Sequence, residues 1–255
     1  MQRIPVGNTV DVCAVGDIGL SGRVSKIGLT DNFSNLFKNV KPILSKHKIV
    51  FGNLETPAIR NFSVGQQFAC SPKALEALRD AGFNLVNLAN NHIYDYGIEG
   101  FTYTKNELEK LGIAVLGINT KSSNTLDLIY MDFDGVRVGW IGCGKTHINQ
   151  KGQNVFISEY NERLLLKAVK KHKPLVDVLF VSIHMGYMFL DYPDPEHQVM
   201  AKSLVKEGAD IILMHHAHVL QGVEEPGNGK VICYNLGNFI FDIEGDLIGL
   251  IVGTS

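Results

Sequence analysis

The chain has 255 residues, 45% of them hydrophobic and 20% charged, which is the composition of an ordinary globular protein and not of a disordered or collagen-like one. Its 24 basic and 26 acidic residues leave a net charge of −2, so bulk charge gives no reason to expect a nucleic-acid partner. No apolar stretch reaches the length of a bilayer span, and the four cysteines (Cys13, Cys70, Cys143, Cys233) form no C-x-x-C pair.

In chain order, residues 10–15 read as a first strand closed by a Gly16-Asp17 turn, and a polar loop leads to a short helix around residues 31–45. A strand then ends at Gly52-Asn53. Ser71-Pro72 opens a helix, since Ser caps unpaired N–H groups and Pro is pre-set for a first turn; Leu75 and Leu78 mark its buried face and Gly82 ends it. The strand 85–89 delivers Asn90-Asn91-His92, a helix over 98–111 stops at Gly112, and the strand 113–116 follows. Residues 126–133 and 136–141 flank Asp134-Gly135, the pattern of a tight hairpin. Alternation resumes with a helix over 160–172, a strand over 176–183, a helix over 195–207 and a strand over 209–214. A second hairpin pairs 219–223 with 231–234 around Pro226-Gly227-Asn228-Gly229, and the apolar run 247–252 is expected to pair within a sheet. Hairpins added to strand–helix–strand units predict an α/β fold with two mixed sheets between helices, a four-layer α/β/β/α sandwich formed as a single domain over 1–255.

Six groups suited to metal binding each follow an apolar, β-branched run: Asp17, Glu55, Asn91, His184, His216 and His218. In α/β folds ligands bind at the carboxyl ends of the strands. Two carboxylates, an amide and three imidazoles brought to one edge make a mixed N/O site for a hard or borderline divalent ion. Taken singly, each has an ordinary reading: a surface histidine pair, a turn asparagine, a capping carboxylate. Together the carboxylates supply the negative charge that neutral imidazoles lack. On an extended segment His216 and His218 point one way, leaving His215 to face the other side. His92 lies three residues before Asp95, close enough for the carboxylate to fix its tautomer and make it an acid or charge stabiliser beside the metal. His47, His147, His172 and His197 lack such company and read as surface or loop residues. The glycine pairs Gly19/Gly22 and Gly142/Gly144 match no phosphate-loop or dinucleotide fingerprint.

Six segments stand in the order seen in CapA-type proteins: Ala14-Val15-Gly16-Asp17, Phe51-Gly52-Asn53-Leu54-Glu55-Thr56-Pro57, Leu88-Ala89-Asn90-Asn91-His92 with Asp95-Tyr96-Gly97, Ser182-Ile183-His184-Met185-Gly186, His215-His216-Ala217-His218-Val219-Leu220-Gln221, and Tyr234-Asn235-Leu236-Gly237-Asn238-Phe239. Across residues 11–242 the chain thus resembles the bacterial capsule and poly-γ-glutamate synthesis proteins, whose domain is similar to calcineurin-like metallophosphoesterases. The resemblance implies the four-layer sandwich and a set of roles. Asp17 and His218 would bind a first metal, Glu55 would bridge, Asn91, His184 and His216 would bind a second, and His92 would act near the leaving group. Two positions depart from the wider superfamily: Gly19 stands where a ligand histidine is expected, and Glu55 where the bridging group is an aspartate. A single bound metal is therefore an alternative to two.

These residues lead to the expectation of a hydrolase using one or two divalent ions (Mn, Zn or Fe), with a metal-activated water attacking a phosphorus or acyl centre. The resemblance places that chemistry in capsule or poly-γ-glutamate synthesis, with a synthase as partner. Two other classes stay open: a non-catalytic, polymer-binding accessory subunit, which the missing histidine at 19 favours, and an amidase or transferase acting on γ-glutamyl chains. Arg23, Lys26, Arg60 and Lys145 lie in the loops around the ligands and are candidates for binding an anionic small molecule or an anionic polymer such as poly-γ-glutamate. With no leader-like apolar segment near Met1, the chain is expected to be soluble and cytoplasmic, or membrane-associated or exported if an anchor has been trimmed.

Overall fold

The computed structural model describes residues 9–119, 125–146, 148, 155–242 and 251–254. The first half runs β1 (Val12–Ile18), α1 (Gly22–Asp31), α2 (Ser34–Phe37), α3 (Lys41–Leu44), β2 (Ile49–Leu54), α4 (Pro72–Ala81), β3 (Leu85–Asn87), α5 (Gly97–Lys110), β4 (Ala114–Leu116) and β5 (Ile118–Asn119). The second runs β6 (Ile129–Phe133), β7 (Val136–Gly144), β8 (Phe156–Ile157), α6 (Glu162–His172), β9 (Val178–His184), α7 (Pro195–Glu207), β10 (Ile211–His215), β11 (Val223–Gly227), β12 (Lys230–Cys233), β13 (Asn238–Ile240) and β14 (Ile251–Thr254).

Two six-stranded sheets result. One has the order β13-β1-β2-β3-β4, with β14 antiparallel to the start of β1; the other has the order β11-β12-β10-β9-β7-β6. Side chains alternate between faces along each strand, and three apolar cores follow from that alternation. Cys13, Val15, Val50 and Val86 pack under α1, α2, α4 and α5 with Phe37, Leu75 and Phe101. Ile141, Val181, Ile183 and Ile212 pack under α6 and α7 with Leu165, Val169 and Leu204. Val12, Ala14, Phe51 and Leu85 of one sheet meet Trp140, Phe180 and Leu213 of the other. Helix, sheet, sheet and helix layers thus sandwich three cores. At the middle, the Trp140 ring stacks on Phe51 at 4.9 Å and on Phe180 at 4.1 Å. Full burial of each such ring contributes about 1.5–3 kcal/mol.

Several sequence expectations shift. The first helix lies earlier than expected, at Gly22–Asp31, and the expected helix over 31–45 is two short turns. Asn32, at φ 72°, ends α1 in the left-handed region, so the chain cannot run on as one helix. The second hairpin begins at Val223, with Asn228 and Gly229 at positive φ as its two-residue turn; residues 220–221 instead bridge to 235–236. His172 is buried, at 9% exposure, because the last turn of α6 packs inward. His197 is half-buried on α7, whereas His147 lies outside the described residues. All four cysteines are buried thiols. Of the apolar run 247–252, residues 247–250 lie outside the described residues, and Ile251–Thr254 pairs with β1 as β14. Among the described residues no helix is long and apolar enough to cross a membrane.

Candidate metal centre

The parallel strands of both sheets end at the same edge. Asp17 sits near the end of β1, Glu55 follows β2, and Asn91 lies four residues past β3. His184 is the last residue of β9, and His216 and His218 follow β10. Strict alternation would turn Asp17 toward the helices with Cys13 and Val15. An irregularity in the β1–β2 register between Ala14 and Asp17 turns it toward the second sheet instead. Gly16 permits this bend, since a Cβ there would lie 2.0 Å from the Gly237 carbonyl oxygen.

The cluster that results is tightly bonded and is buried at its carboxylates and His184. Asp17, Glu55 and His184 are fully buried, with ligand atoms all within 4.8 Å of one another. The Asn53 amide nitrogen donates to Asp17 Oδ1 (2.8 Å) and Glu55 Oε1 (3.1 Å) and lies 3.0 Å from His184 Nδ1. On the other side of the His184 ring, Nε2 is 2.8 Å from Asn91 Oδ1 and 3.0 Å from His216 Nδ1. The His216 backbone N–H donates to Asp17 Oδ2 at 3.1 Å. His218 Nδ1 lies 2.8 Å from Asn238 Oδ1, a pairing that leaves its Nε2 as a ligand atom. His216 and His218 hold φ of 94° and 59°. Such left-handed conformations cost a non-glycine residue about 1–3 kcal/mol and concentrate at functional sites.

The electrostatics ask for a cation. Burial resists ionisation of Asp17, but the His215, His184 and His218 rings gathered around it outweigh burial and hold this carboxyl well below the usual range. Burial, and then the Asp17 charge, push Glu55 well above it. His184 and His216 are both lowered, chiefly by burial, which keeps their imidazoles neutral and able to ligate. Glu55 Oε2 is buried without a hydrogen-bond partner. Metal–nitrogen bonds are about 2.0–2.1 Å, so donor atoms 2.8–3.0 Å apart are spaced as neighbours around one ion. By its donor set and its orphaned oxygen, the cluster fits a divalent metal.

His92 stands beside this group, near His216. Its Nδ1 is 2.9 Å from Asp95 Oδ2, and its ring stacks on Phe68 at 3.9 Å. The four candidate cations are more dispersed. Arg23 and Lys26 lie on α1, not in a loop, and Arg23 pairs with Asp242. Arg60 sits over the Tyr103 ring and lines a cleft of about 640 Å³. Lys145 is at the rim: its backbone N–H donates to the His184 carbonyl oxygen and its ammonium lies over Tyr160.

Three contributors escaped the sequence reading. Asn53 is one. His215 is another: as the last residue of β10 it faces Phe51 in the inter-sheet core, and the expected extended alternation over 216–218 gives way to positive φ at His216 and His218, yet its buried ring reaches Asp17, with Nδ1 at 3.4 Å from Oδ1. Phe241 is the third. A Cβ at Gly19 would meet its ring at 2.7 Å, and the ring packs edge-on against His218 at 4.7 Å. The space beside Gly19, where the resemblance led to the expectation of a ligand histidine, is taken by this apolar ring.

The chain is 32% identical to the capsule biosynthesis protein CapA of Bacillus anthracis over 89% of its length and 59% of the relative's. It is 31% identical to the PGA biosynthesis protein CapA of Bacillus subtilis (strain 168), over 89% of its length and 62% of the relative's. It therefore spans about three fifths of the length of these curated relatives. Among solved structures, a 5'-nucleotidase from Candida albicans superposes with a TM-score of 0.52 at 11% identity, covering 89% of this chain and 45% of the other. That likeness concerns the fold alone. The profile of the family described as "Bacterial capsule synthesis protein PGA_cap" matches residues 11–243, and the chain belongs to that family.

Proposed function

We propose that this chain is a metal-dependent hydrolase of the capsule-synthesis family, acting on a phosphoester or a related acyl substrate. The observation that carries this reading is the buried carboxylate–imidazole cluster with its orphaned Glu55 oxygen. Asp17, Glu55, Asn91, His184, His216 and His218 are the residues that would hold the ion. A divalent cation in such a site supplies Lewis acidity and lowers the pKa of water. Mixed N/O donors suit Mn, Zn or Fe. With Phe241 against Gly19, the Asn91–His184–His216 side has more donors than the Asp17–His218 side, so one tightly held ion is the favoured occupancy.

The remaining steps fall to the chain's own groups. Asn53 holds the two carboxylates in register. His92, its Nδ1 engaged by Asp95, has Nε2 left to deliver a proton to a departing oxygen. Phe68 covers one face of that ring and keeps water from it. Lys145, at the rim, is placed to meet an anionic group. The names of the two Bacillus relatives set them in capsule and PGA biosynthesis. We extend that setting to this chain, with a poly-γ-glutamate-like polymer and its synthase as the biological context.

The test is metal analysis of the purified chain, followed by a panel of phosphoester and γ-glutamyl substrates with Mn, Zn and Fe. Phosphoester turnover that requires metal and vanishes in His216→Ala is expected. Turnover of γ-glutamyl amides alone would move the activity to polyamide chemistry. A second reading, an accessory subunit without turnover, is favoured by Phe241 at the missing ligand's place; metal binding with no hydrolysis of any substrate would establish it.

A further inference from the structure

Directly after β9 the chain displays a run of large apolar side chains to solvent. Tyr187, Met188, Phe189, Leu190 and Tyr192 are 59%, 54%, 52%, 50% and 83% exposed. Contiguous exposed apolar surface of this kind marks a binding site more often than it marks plain surface. The segment is pinned in place. The Phe189 N–H donates to the Ala217 carbonyl oxygen at 2.8 Å, and the Gln221 side-chain amide donates to the carbonyl oxygens of Leu190 (2.8 Å) and Tyr192 (3.2 Å). Tyr187 stacks on His197 at 6.1 Å. Phe189 is held at φ 62°, a strained conformation that its neighbours impose. The backbone is fixed while the rings face water.

The display borders the candidate metal centre on two counts. It begins three residues past His184, and its hydrogen bond to Ala217 ties it between His216 and His218; the Phe189 and His218 rings are 6.2 Å apart. Its charge is also one-sided. Residues 185–201 contain no Lys or Arg, while Asp191, Asp194 and Glu196 lie among them. Along this segment itself a polyanion would meet carboxylates and no lysine or arginine, the cation beside it being Lys145, whose charge bears on His197. An uncharged apolar or aromatic group would instead bury both itself and the exposed rings.

Resting on the hydrolase reading above, we propose that residues 187–192 form the subsite for an apolar, uncharged and preferably planar non-reacting group of the substrate, whose reacting anionic group sits at the Asp17–Glu55–His184 cluster. Tyr187 and Phe189 are the specificity-determining residues, and anionic portions of any longer substrate leave on the Lys145 side.

Calorimetric titration of the Mn-loaded protein with phenylphosphonate and methylphosphonate tests this, because the two share one anionic head and need no turnover. Phenylphosphonate is expected to bind at least tenfold more tightly to the wild type. The preference should collapse to about twofold or less in Tyr187→Ser/Phe189→Gly, with methylphosphonate affinity and metal content unchanged. Tyr192→Ser, at the most exposed position, gives a partial loss in a variant whose folding is not at risk. Equal binding of the two probes to the wild type, or a preference that persists in the variants, overturns the subsite and leaves the hydrolase reading intact. Binding of neither probe to the metal-loaded wild type overturns both.

Discussion

The side-chain amide of Asn87 donates to Oδ1 of Asn53 at 3.0 Å, and this bond decides which way the amide at the candidate metal centre faces. Asn87 is itself oriented, because the Ala89 N–H donates to its Oδ1 at 3.3 Å. Asn53 must therefore turn its NH₂ group toward Asp17, Glu55 and His184. Two protons serve three neighbours there, so the amide holds the ligands without satisfying them all.

Asn53→Ala should lower Mn affinity about 10–100-fold, the usual effect of removing a group that orients ligands. Asn87→Ala, acting on the centre through Asn53 and the Ala89 backbone, should cause a smaller loss of the same kind. Calorimetry at constant pH measures both. Wild-type affinity in Asn53→Ala would show that the ligands hold their places unaided.

Glu55 yields a prediction with opposite signs in two conditions. Its carboxyl is held well above the usual range, so the metal-free fold disfavours the ionised form. A carboxyl raised in the folded state gives stability that is full below the unfolded value, near 4.5, and lost as pH rises toward the folded one. At pH 7 in chelator, Glu55→Gln should therefore melt at or above the wild-type temperature. With Mn added, the wild type should gain more, since only its carboxylate can ligate through the orphaned oxygen. An equal metal-induced rise in both proteins would remove Glu55 from the ligand set.

His92 touches Asp95 and Phe68 and none of the six ligand side chains by a hydrogen bond or stacked ring. His92→Asn should thus keep full metal content and, on a substrate with a poor leaving group, lose about 10²–10⁴-fold in turnover. A substrate whose leaving group needs no proton should lose much less. Parallel losses of metal and activity would place His92 among the ligands.

How much of this was legible beforehand differs from element to element. α4 and α7 carry their own punctuation, Ser71-Pro72 to Gly82 and Asp194-Pro195 to Gly208, and their bounds follow from local chemistry. α1 has no such mark: Ser21 makes no side-chain cap bond, and the helix holds Gly22, Gly28 and Thr30. The six grouped polar residues were visible because each ends an apolar run. The direction of Asp17 was not, since it depends on a bulge set by the approach of Gly16 to Gly237. Nor could spacing show that Asn53 would face the same centre, or that His215 would meet Asp17. Those contacts cross between strands and sheets far apart in sequence.

The pairing of Gly19 with Phe241 has a consequence for metal number. If the ring stands where a histidine would complete a second site, Gly19→His alone should destabilise the fold, because its Cβ would meet the ring at 2.7 Å. The double variant Gly19→His/Phe241→Ala relieves that clash and adds an imidazole beside Asp17 and His218. It should raise bound Mn from about one ion per chain toward two, a number drawn from the donor count at a site that fixes four or more ligands per ion. Elemental analysis after dialysis reads the ratio, and an unchanged ratio in a folded double variant would mean that Phe241 does not limit occupancy.

Acid sensitivity should trace partly to His172, far from the ligands in sequence. Burial, and after it the Lys171 charge, lower its pKa, against a weaker upward pull from the Leu126 backbone and Asp127; its Nδ1 is buried without a partner. The folded state thus prefers the neutral ring. Below the unfolded value of about 6.5 the unfolded chain takes up this proton first, so stability is full above that pH and falls as pH drops toward the folded value. His197, lowered mainly by burial, acts in the same direction, as do His184 and His216 in the metal-free protein. His172→Gln removes one of these four groups. Urea midpoints in chelator at pH 7.5 and pH 5.0 should therefore fall less in the variant than in the wild type. At pH 7.5 the variant should be the less stable of the two, having lost the packing of a ring at the end of α6. Parallel declines in both proteins would show that His172 takes up its proton equally in the folded and unfolded states.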